Sequence, residues 1–370
     1  MTDLHAVIDA HHLGHQQTGN ETYVRNLVEQ LATRPRPGLR VTALHTGGAP
    51  AAWVDFSRRI WPHQALVRIP VSLPWALWRL RADVAHFNYI KPPLCPCPTV
   101  LTVHDISYEI FPEYFHPLAL RRMRLLIPQS ARTATELITV SEASKTEMVQ
   151  RYGLDPRRIT VTMEAASAAF RVLSQEKIQE ATARFALRSR CLLAVGNLQP
   201  RKNIVRLLEC FARLRRTDRI PHQLVLVGQK GWKGESITAH IDRLGLAADV
   251  LVTGFVSEEE LVALYNHAEV FIYPSVYEGF GLPILEAMAC GTPVITSATT
   301  SMPEVAGEAA LLVDPLSEDA IQAAIQRLCE DGEVRQQLSR SGLARAAEFS
   351  WTKMAEETLA VYRRAAGRRP

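Results

Sequence analysis

EVFIYPSVYEGFGLPILEAMACGTPVITS, residues 269–297, is the stretch from which the fold can be read. A short apolar run, EVFIYPS, leads into a glycine-containing turn. LPILEAMACG then has helical spacing, and TPVITS is a second short apolar run. Buried strands joined through helices have this signature, which argues for a parallel sheet covered on both faces. Within the turn, Gly279 and Gly281 let the backbone bend sharply and approach a ligand with no Cβ in the way. Pro283 suits the first turn of a helix, where its missing N–H costs nothing. Free backbone N–H groups and the positive helix end then favour an anion such as a diphosphate. Glu278 and Glu286 bracket the turn, and carboxylates accept hydrogen bonds from paired hydroxyls. The pattern suits a nucleotide sugar. A helix start decorated with acids for the sake of its dipole would explain one glutamate, but not the two glycines.

Outward from this stretch the alternation continues in both directions. Strands are expected at 191–197, 223–228, 249–254, 269–275, 292–297 and 309–315, and before them at 6–10, 40–44, 83–87, 98–105, 136–141 and 157–162. Helices fill the intervals, among them ETYVRNLVEQLA, 142–152, NIVRLLECFARLRR and SEEELVALYNHA, with a polar glycine-containing loop ahead of the first. The expected fold class is α/β: two doubly wound, Rossmann-like units in tandem. SQEKIQEATARFALRSR (174–190) reads as a charged helical connector, so the domains are placed at 1–175 and 176–348. A last helix follows Ser350, a suitable N-cap, within 349–370. Ligands of such units bind outside the carboxyl ends of the strands.

The 370 residues are too many for one ordinary core and suit two domains. With 47% apolar and 22% charged residues, the composition is that of a globular protein. No apolar run approaches the ~18 residues that cross a bilayer. MTDLHAVIDAHHL lacks a basic stretch followed by an apolar one, so no secretory signal and a cytoplasmic location are expected. The six cysteines read as reduced thiols; only Cys95 and Cys97, in CPCP, are close. Of the net charge of +4, all lies before residue 166, where 18 basic side chains face 14 acidic ones. That imbalance suits either a solvated face or an anionic acceptor or lipid surface. No G-x-G-x-x-G follows a strand, which argues against a dinucleotide oxidoreductase. Nucleic-acid binding lacks both a basic stripe and a recognisable module.

Residues 254–315, with GFV, LYNHAEVFIYPSVYEGFGLPILEAMACGTPVITS and MPEVAGEAALLVDP, resemble family 4 glycosyltransferases of the GT-B fold, whose Glu-x7-Glu motif is matched in full. The likeness extends to NLQPRKNIVRLLECF, LVLVGQKGW, TVHDISYEIFPEYF and TVSEASKTEMVQRYG, nearly the whole chain. It implies that two Rossmann-like domains face each other across a cleft and that the last helix crosses back to the first. It implies that Glu286 binds the donor ribose hydroxyls and Glu278 those of the donor sugar, and that Arg201 and Lys202 hold the diphosphate. Two cations there suit the charge that grows on a leaving diphosphate. His104 would line the donor sugar near the reacting carbon, with Asp105 either orienting its ring or capping the next segment. Gly19, Gly228, Val256, Gly279, Phe280, Gly281 and Leu282 are the further donor-binding positions, with Lys233 of GQKGWKGE beside the nucleotide and Trp232 in packing.

The first loop departs from the family: where a glycine pair is usual it has Gly19 followed by Asn20. His11, His12 and His15 are close together without an accompanying carboxylate or cysteine in the loop, so no metal site is expected. LALRRMRLLIPQSA (118–131) is basic and apolar together and reads as a covering helix or as a segment lying on a membrane. The resemblance implies a retaining transfer of a hexose from a nucleotide sugar to a hydroxyl of a glycan or lipid-linked acceptor of surface polysaccharide, without metal or other cofactor. GDP-mannose is the expected donor and UDP-glucose the nearest alternative. A nucleotide-sugar epimerase and a non-catalytic sugar-nucleotide-binding subunit are the competing readings.

Overall fold

The computed structural model describes residues 3–14, 18–33, 37–197, 199–217, 219–228 and 236–367. The chain divides into two compact units. The first comprises Met1–Ile110, Pro117–Glu164 and Ser350–Pro370, and the second Phe111–His116 and Ala165–Phe349.

The sheet of the first unit contains β1 (Leu4–Asp9), β2 (Leu39–His45), β3 (Ser57–Arg59), β4 (Val84–Asn88), β5 (Thr99–Thr102), β6 (Glu136–Thr139) and β7 (Ile159–Val161). Its order is β3-β2-β1-β4-β5-β6-β7. The sheet of the second contains β8 (Cys191–Val195), β9 (Gln223–Val227), β10 (Val250–Gly254), β11 (Val270–Tyr273), β12 (Val294–Ser297) and β13 (Ala310–Val313), in the order β10-β9-β8-β11-β12-β13. Every pairing is parallel. All twelve expected strands form. β3 is additional: Ser-Arg-Arg has no apolar run to betray it, and it pairs only at the sheet edge.

The strands read as continuous apolar runs because both faces are covered. LHAVID is buried along its whole length, as is QLVLV. Helix Ile204–Arg216 shows the covering geometry. Ile204, Leu207, Leu208, Phe211 and Leu214 recur at helical spacing and are buried on the sheet, while Arg213, Arg215 and Arg216 fall in its last turn, where cations suit the dipole. Ser141, Ser257 and Ser350 cap helices through backbone N–H groups three or fewer residues on, and Ser257 closes a capping box with Glu260.

Two expectations shift, and one helical segment is unanticipated. Helix Thr18–Ala32 begins ahead of ETYVRNL, so Gly19 lies in its first turn rather than in a loop. The connector is helical only over Gln175–Thr182. Residues 65–80, in which Pro70 and Pro74 obscure the period, form three consecutive helical stretches, Ala65–Val67, Arg68–Ser72 and Leu73–Leu80.

Each sheet reverses its winding next to its first strand: at β1/β4 in the first unit and β8/β11 in the second. The turns leaving two such neighbouring strands stand side by side, and crevices open there.

Candidate functional site

In the second unit, β8 pairs with β11 through Leu192 opposite Val270 and Leu193 opposite Phe271. The turn after β8 therefore lies against the turn after β11, and the Val276 N–H donates to the Arg201 carbonyl at 2.9 Å. A short helical turn, Pro200–Lys202, presents two cations. Lys202 Nζ donates to Glu278 Oε1 at 2.6 Å and to the Tyr273 hydroxyl at 2.5 Å. Arg201 donates to Glu278 Oε2 at 2.7 Å and to the Tyr277 carbonyl at 3.1 Å. The structure thus brings Arg201, Lys202 and Glu278 into one triad of net positive charge. Glu278 is 7% exposed. Burial pushes its carboxyl up, but the charges of Arg201 and Lys202 outweigh it and hold the group at about 2.

The turn is fixed from below. The Glu278 N–H donates to Thr300 Oγ1, and the Ser301 hydroxyl reaches the carbonyls of Glu278 and Phe280 at 2.9 and 2.8 Å. Gly281 is the N-cap of helix Leu282–Ala289 with φ +105°, a conformation that L side chains rarely adopt. Pro283 stands in the first turn, as the sequence predicts. Glu286 sits one turn in, half-buried, and accepts from the Tyr265 hydroxyl at 3.0 Å. Phe280 is buried, its ring edge-on to Phe349, and Val256 is buried just after β10.

Gly228 has a packing reason as well as its expected role. A Cβ there would lie 2.1 Å from the Gly196 carbonyl oxygen, so the ends of β8 and β9 approach as only glycine allows. Trp232 and Lys233 lie outside the described residues, as does His15.

The first unit holds Gly19 and His104. Gly19 is exposed, with open space around the position a Cβ would take. His104 follows β5 by two residues, 7% exposed. Its Nε2 is 3.3 Å from Asn88 Oδ1 and its Nδ1 3.5 Å from Glu164 Oε1, while the Tyr23 ring stands edge-on at 4.7 Å. Asp105 accepts from the Ser107 N–H and hydroxyl, which makes it a cap; the carboxylate at the ring is Glu164. Beneath lies a chain of neutral groups. The Tyr362 hydroxyl is 2.6 Å from His86 Nδ1, His86 Nε2 is 2.7 Å from Thr102 Oγ1, and Thr102 Oγ1 is 3.1 Å from the Tyr23 hydroxyl. Burial, with His104 nearby, pushes His86 down to about 3. At the end of β1, Arg68 donates to Asp9 at 2.6 Å and His11 Nδ1 is 3.1 Å from the same carboxylate. Burial raises Asp9, but His11 and Arg68 hold it well below the usual range. Among the described residues, no three His, Cys, Asp or Glu are grouped to hold a metal ion.

Sequence reasoning missed Tyr265, Tyr273, Thr300, Ser301 and Glu164. Three of them share a positional signal, Glu164 following β7 and Thr300 and Ser301 following β12, just past carboxyl ends of strands; Tyr273 ends β11 itself, and Tyr265, within helix Glu258–His267, carries no such signal.

Comparison with known proteins follows the same division. The model of glycosyl transferases group 1 matches residues 175–345, and that of glycosyltransferase family 4 matches 18–162. The O-antigen chain mannosyltransferase B of Escherichia coli is 36% identical over 295 residues, which cover 80% of this chain and 77% of that protein. The MMP alpha-(1->4)-mannosyltransferase of Mycolicibacterium hassiacum is 35% identical over 242 residues, covering 64% of this chain and 56% of the relative. Among solved structures, a sucrose-phosphate synthase from Thermosynechococcus elongatus superposes with a TM-score of 0.77 over 97% of this chain and 98% of its own, at 22% identity. The fold is thus GT-B, and the chain belongs to the group 1, family 4 glycosyltransferases.

Proposed function

We propose that this glycosyltransferase moves a mannosyl unit from GDP-mannose to a hydroxyl of a growing surface polysaccharide or lipid-linked glycan, with retention at the anomeric carbon. The observation that carries a nucleotide-sugar donor is the convergence of Arg201 and Lys202 on buried Glu278 beside the Gly281-capped helix. The choice of mannose and of polysaccharide synthesis is supported by the names of the relatives, two of which are an O-antigen chain mannosyltransferase and an MMP mannosyltransferase.

In this reading Arg201 and Lys202 meet the donor diphosphate, already oriented by their shared carboxylate. The backbone of Gly279 to Leu282 approaches it from the helix end. Glu286, steadied by Tyr265, takes the ribose hydroxyls, and Glu278 takes hydroxyls of the sugar. The acceptor oxygen forms its bond to the anomeric carbon on the face from which the phosphate leaves. The carbon–phosphate-oxygen bond breaks, its electrons stay on the diphosphate, and a phosphate oxygen takes the acceptor's proton. The two cations stabilise the charge that develops. His104 is assigned to the reacting sugar on the family resemblance, its ring held by Asn88 and Glu164.

The test is nucleotide release with GDP-mannose and with UDP-glucose, each with and without a mannan acceptor, followed by the anomeric configuration of the product by NMR. Acceptor-dependent GDP release with an α-linked product is expected. Release from UDP-glucose alone, conversion of donor without acceptor, or a β-linked product would overturn the proposal.

A further inference from the structure

Among the described residues of the first unit, the exposed tryptophans all lie between residues 61 and 78, together with exposed Leu66, Val67 and Val71. Trp61, Trp75 and Trp78 are 64, 56 and 70% exposed, and Leu66 82%. Val67, Val71, Trp75 and Trp78 recur at spacings of four, four and three, one stripe along the helical stretches 65–80. The opposite side is already used: Arg68, Leu73, Ala76 and Leu77 are buried in the unit. A helix apolar on both sides has a second face to cover. Trp61 belongs to that region, since Ser72 donates to its carbonyl at 2.7 Å.

Charge decides what covers it. From Phe56 to Ala82 the chain has five arginines and no aspartate or glutamate. Arg68 is buried with Asp9, while Arg58, Arg59, Arg79 and Arg81 are exposed. Arg59 stacks over Trp61 at 4.4 Å and Arg79 over Trp75 at 5.2 Å, so cation and indole share one surface. Indoles that take an apolar body into the headgroup layer, with arginines at its rim, match a bilayer surface carrying anionic phospholipid. A second copy of the chain suits the face poorly, because a two-fold contact sets the same arginines against each other.

We infer that this face docks the enzyme on an anionic membrane surface. The inference is independent of the donor assignment. The helix Pro117–Thr133 buries Ile127, Pro128, Ser130 and Ala131 as a covering helix and exposes Leu118 and Leu125, but it carries no tryptophan.

The test is co-sedimentation of the full chain with vesicles of phosphatidylcholine alone and of phosphatidylcholine with phosphatidylglycerol. Binding only to the anionic vesicles, weakened by salt, is expected. Trp75→Ser/Trp78→Ser should lower partitioning by at least about tenfold. Arg79→Gln/Arg81→Gln should lower it by about fivefold per charge. Both variants should keep the parent's melting point and turnover on a soluble acceptor. Should the tryptophan variant melt lower, the arginine pair alone decides. Failure of the parent to bind anionic vesicles, equal binding to neutral ones, or undiminished binding by the variants overturns the inference. So does a solution dimer that Trp75→Ser/Trp78→Ser dissolves, which would make the occupant a second copy.

Discussion

The two units wind their strands alike and fill their crevices differently. In each, the first strand stands at the point where the winding reverses. In each, the turns after the first two strands meet as glycine on glycine: Gly14 with Gly48 in the first, Gly196 with Gly228 in the second. Both bury one carboxylate under two basic groups, Asp9 with Arg68 and His11, Glu278 with Arg201 and Lys202. The first unit adds a neutral chain, Tyr362–His86–Thr102–Tyr23, leading to His104. The second instead leaves its cationic triad at the mouth of a glycine turn, with Arg201 the most accessible member. Topology decides where a site can form. The charge state of the side chains at that place decides what can bind there.

The largest expected effect breaks or upholds this contrast directly. Lys202→Ala removes a partner of a buried carboxylate and should lower stability by about 3 kcal/mol. It should also raise the barrier by about 3 kcal/mol, near a hundredfold in turnover, as should Arg201→Ala. Arg68→Ala in the first unit should cost similar stability by leaving buried Asp9 with His11 as its remaining basic partner. Melting and steady-state rates of the three variants separate the effects. Retention of full activity by both second-unit variants would remove the catalytic meaning of the difference.

Next in size is the glycine contact. Gly228→Ala should destabilise by about 3 kcal/mol, because its Cβ meets the Gly196 carbonyl at 2.1 Å and φ is +144°. Gly48→Ala, 2.4 Å from Gly14 Cα, should behave alike. Urea midpoints of the two variants test the likeness of the units, and a large gap between them would end it.

The smallest effect concerns acid. His86 has its pKa depressed to about 3 by burial, so it stays neutral when folded. Its contribution is present above the unfolded value of about 6.5 and is lost as pH falls from there toward 3, about 2 kcal/mol by pH 5. Glu278 is depressed to about 2, so its contribution is lost only from about pH 4.5 downward. In urea titrations from pH 7 to 4, His86→Gln should show a shallower loss than the parent, while Glu278→Gln should track the parent's slope down to about pH 4.5. Parallel curves for the parent and His86→Gln would contradict the neutral network.

Much of this was legible in the residues. Strand positions were, because strands buried on both faces are written as apolar runs. The Glu278–Glu286 turn was, because Gly281 at positive φ and Pro283 in a first helical turn have local reasons to be there. β3 was not, since three polar residues carry no period. The helical stretches 65–80 were hidden because Pro70 and Pro74 obscure the period and apolar residues on both sides leave little contrast to read. Gly19 reads as a loop residue because glycine is a poor helix former, yet the helix begins at Thr18.

What the sequence determined by itself was therefore local: the alternation of strand and helix, the turn chemistry, and the residue types that follow each strand. Only the tertiary structure decided the partners. Lys202 and Glu278 are separated by 76 residues and meet because β8 lies beside β11. Tyr265 reaches Glu286, Glu164 rather than Asp105 stands at His104, and Tyr362 joins His86 across 276 residues. Backbone preferences and periodicity act over a few residues. Which distant strand ends become neighbours depends on sheet order, and that is settled by packing the whole chain at once.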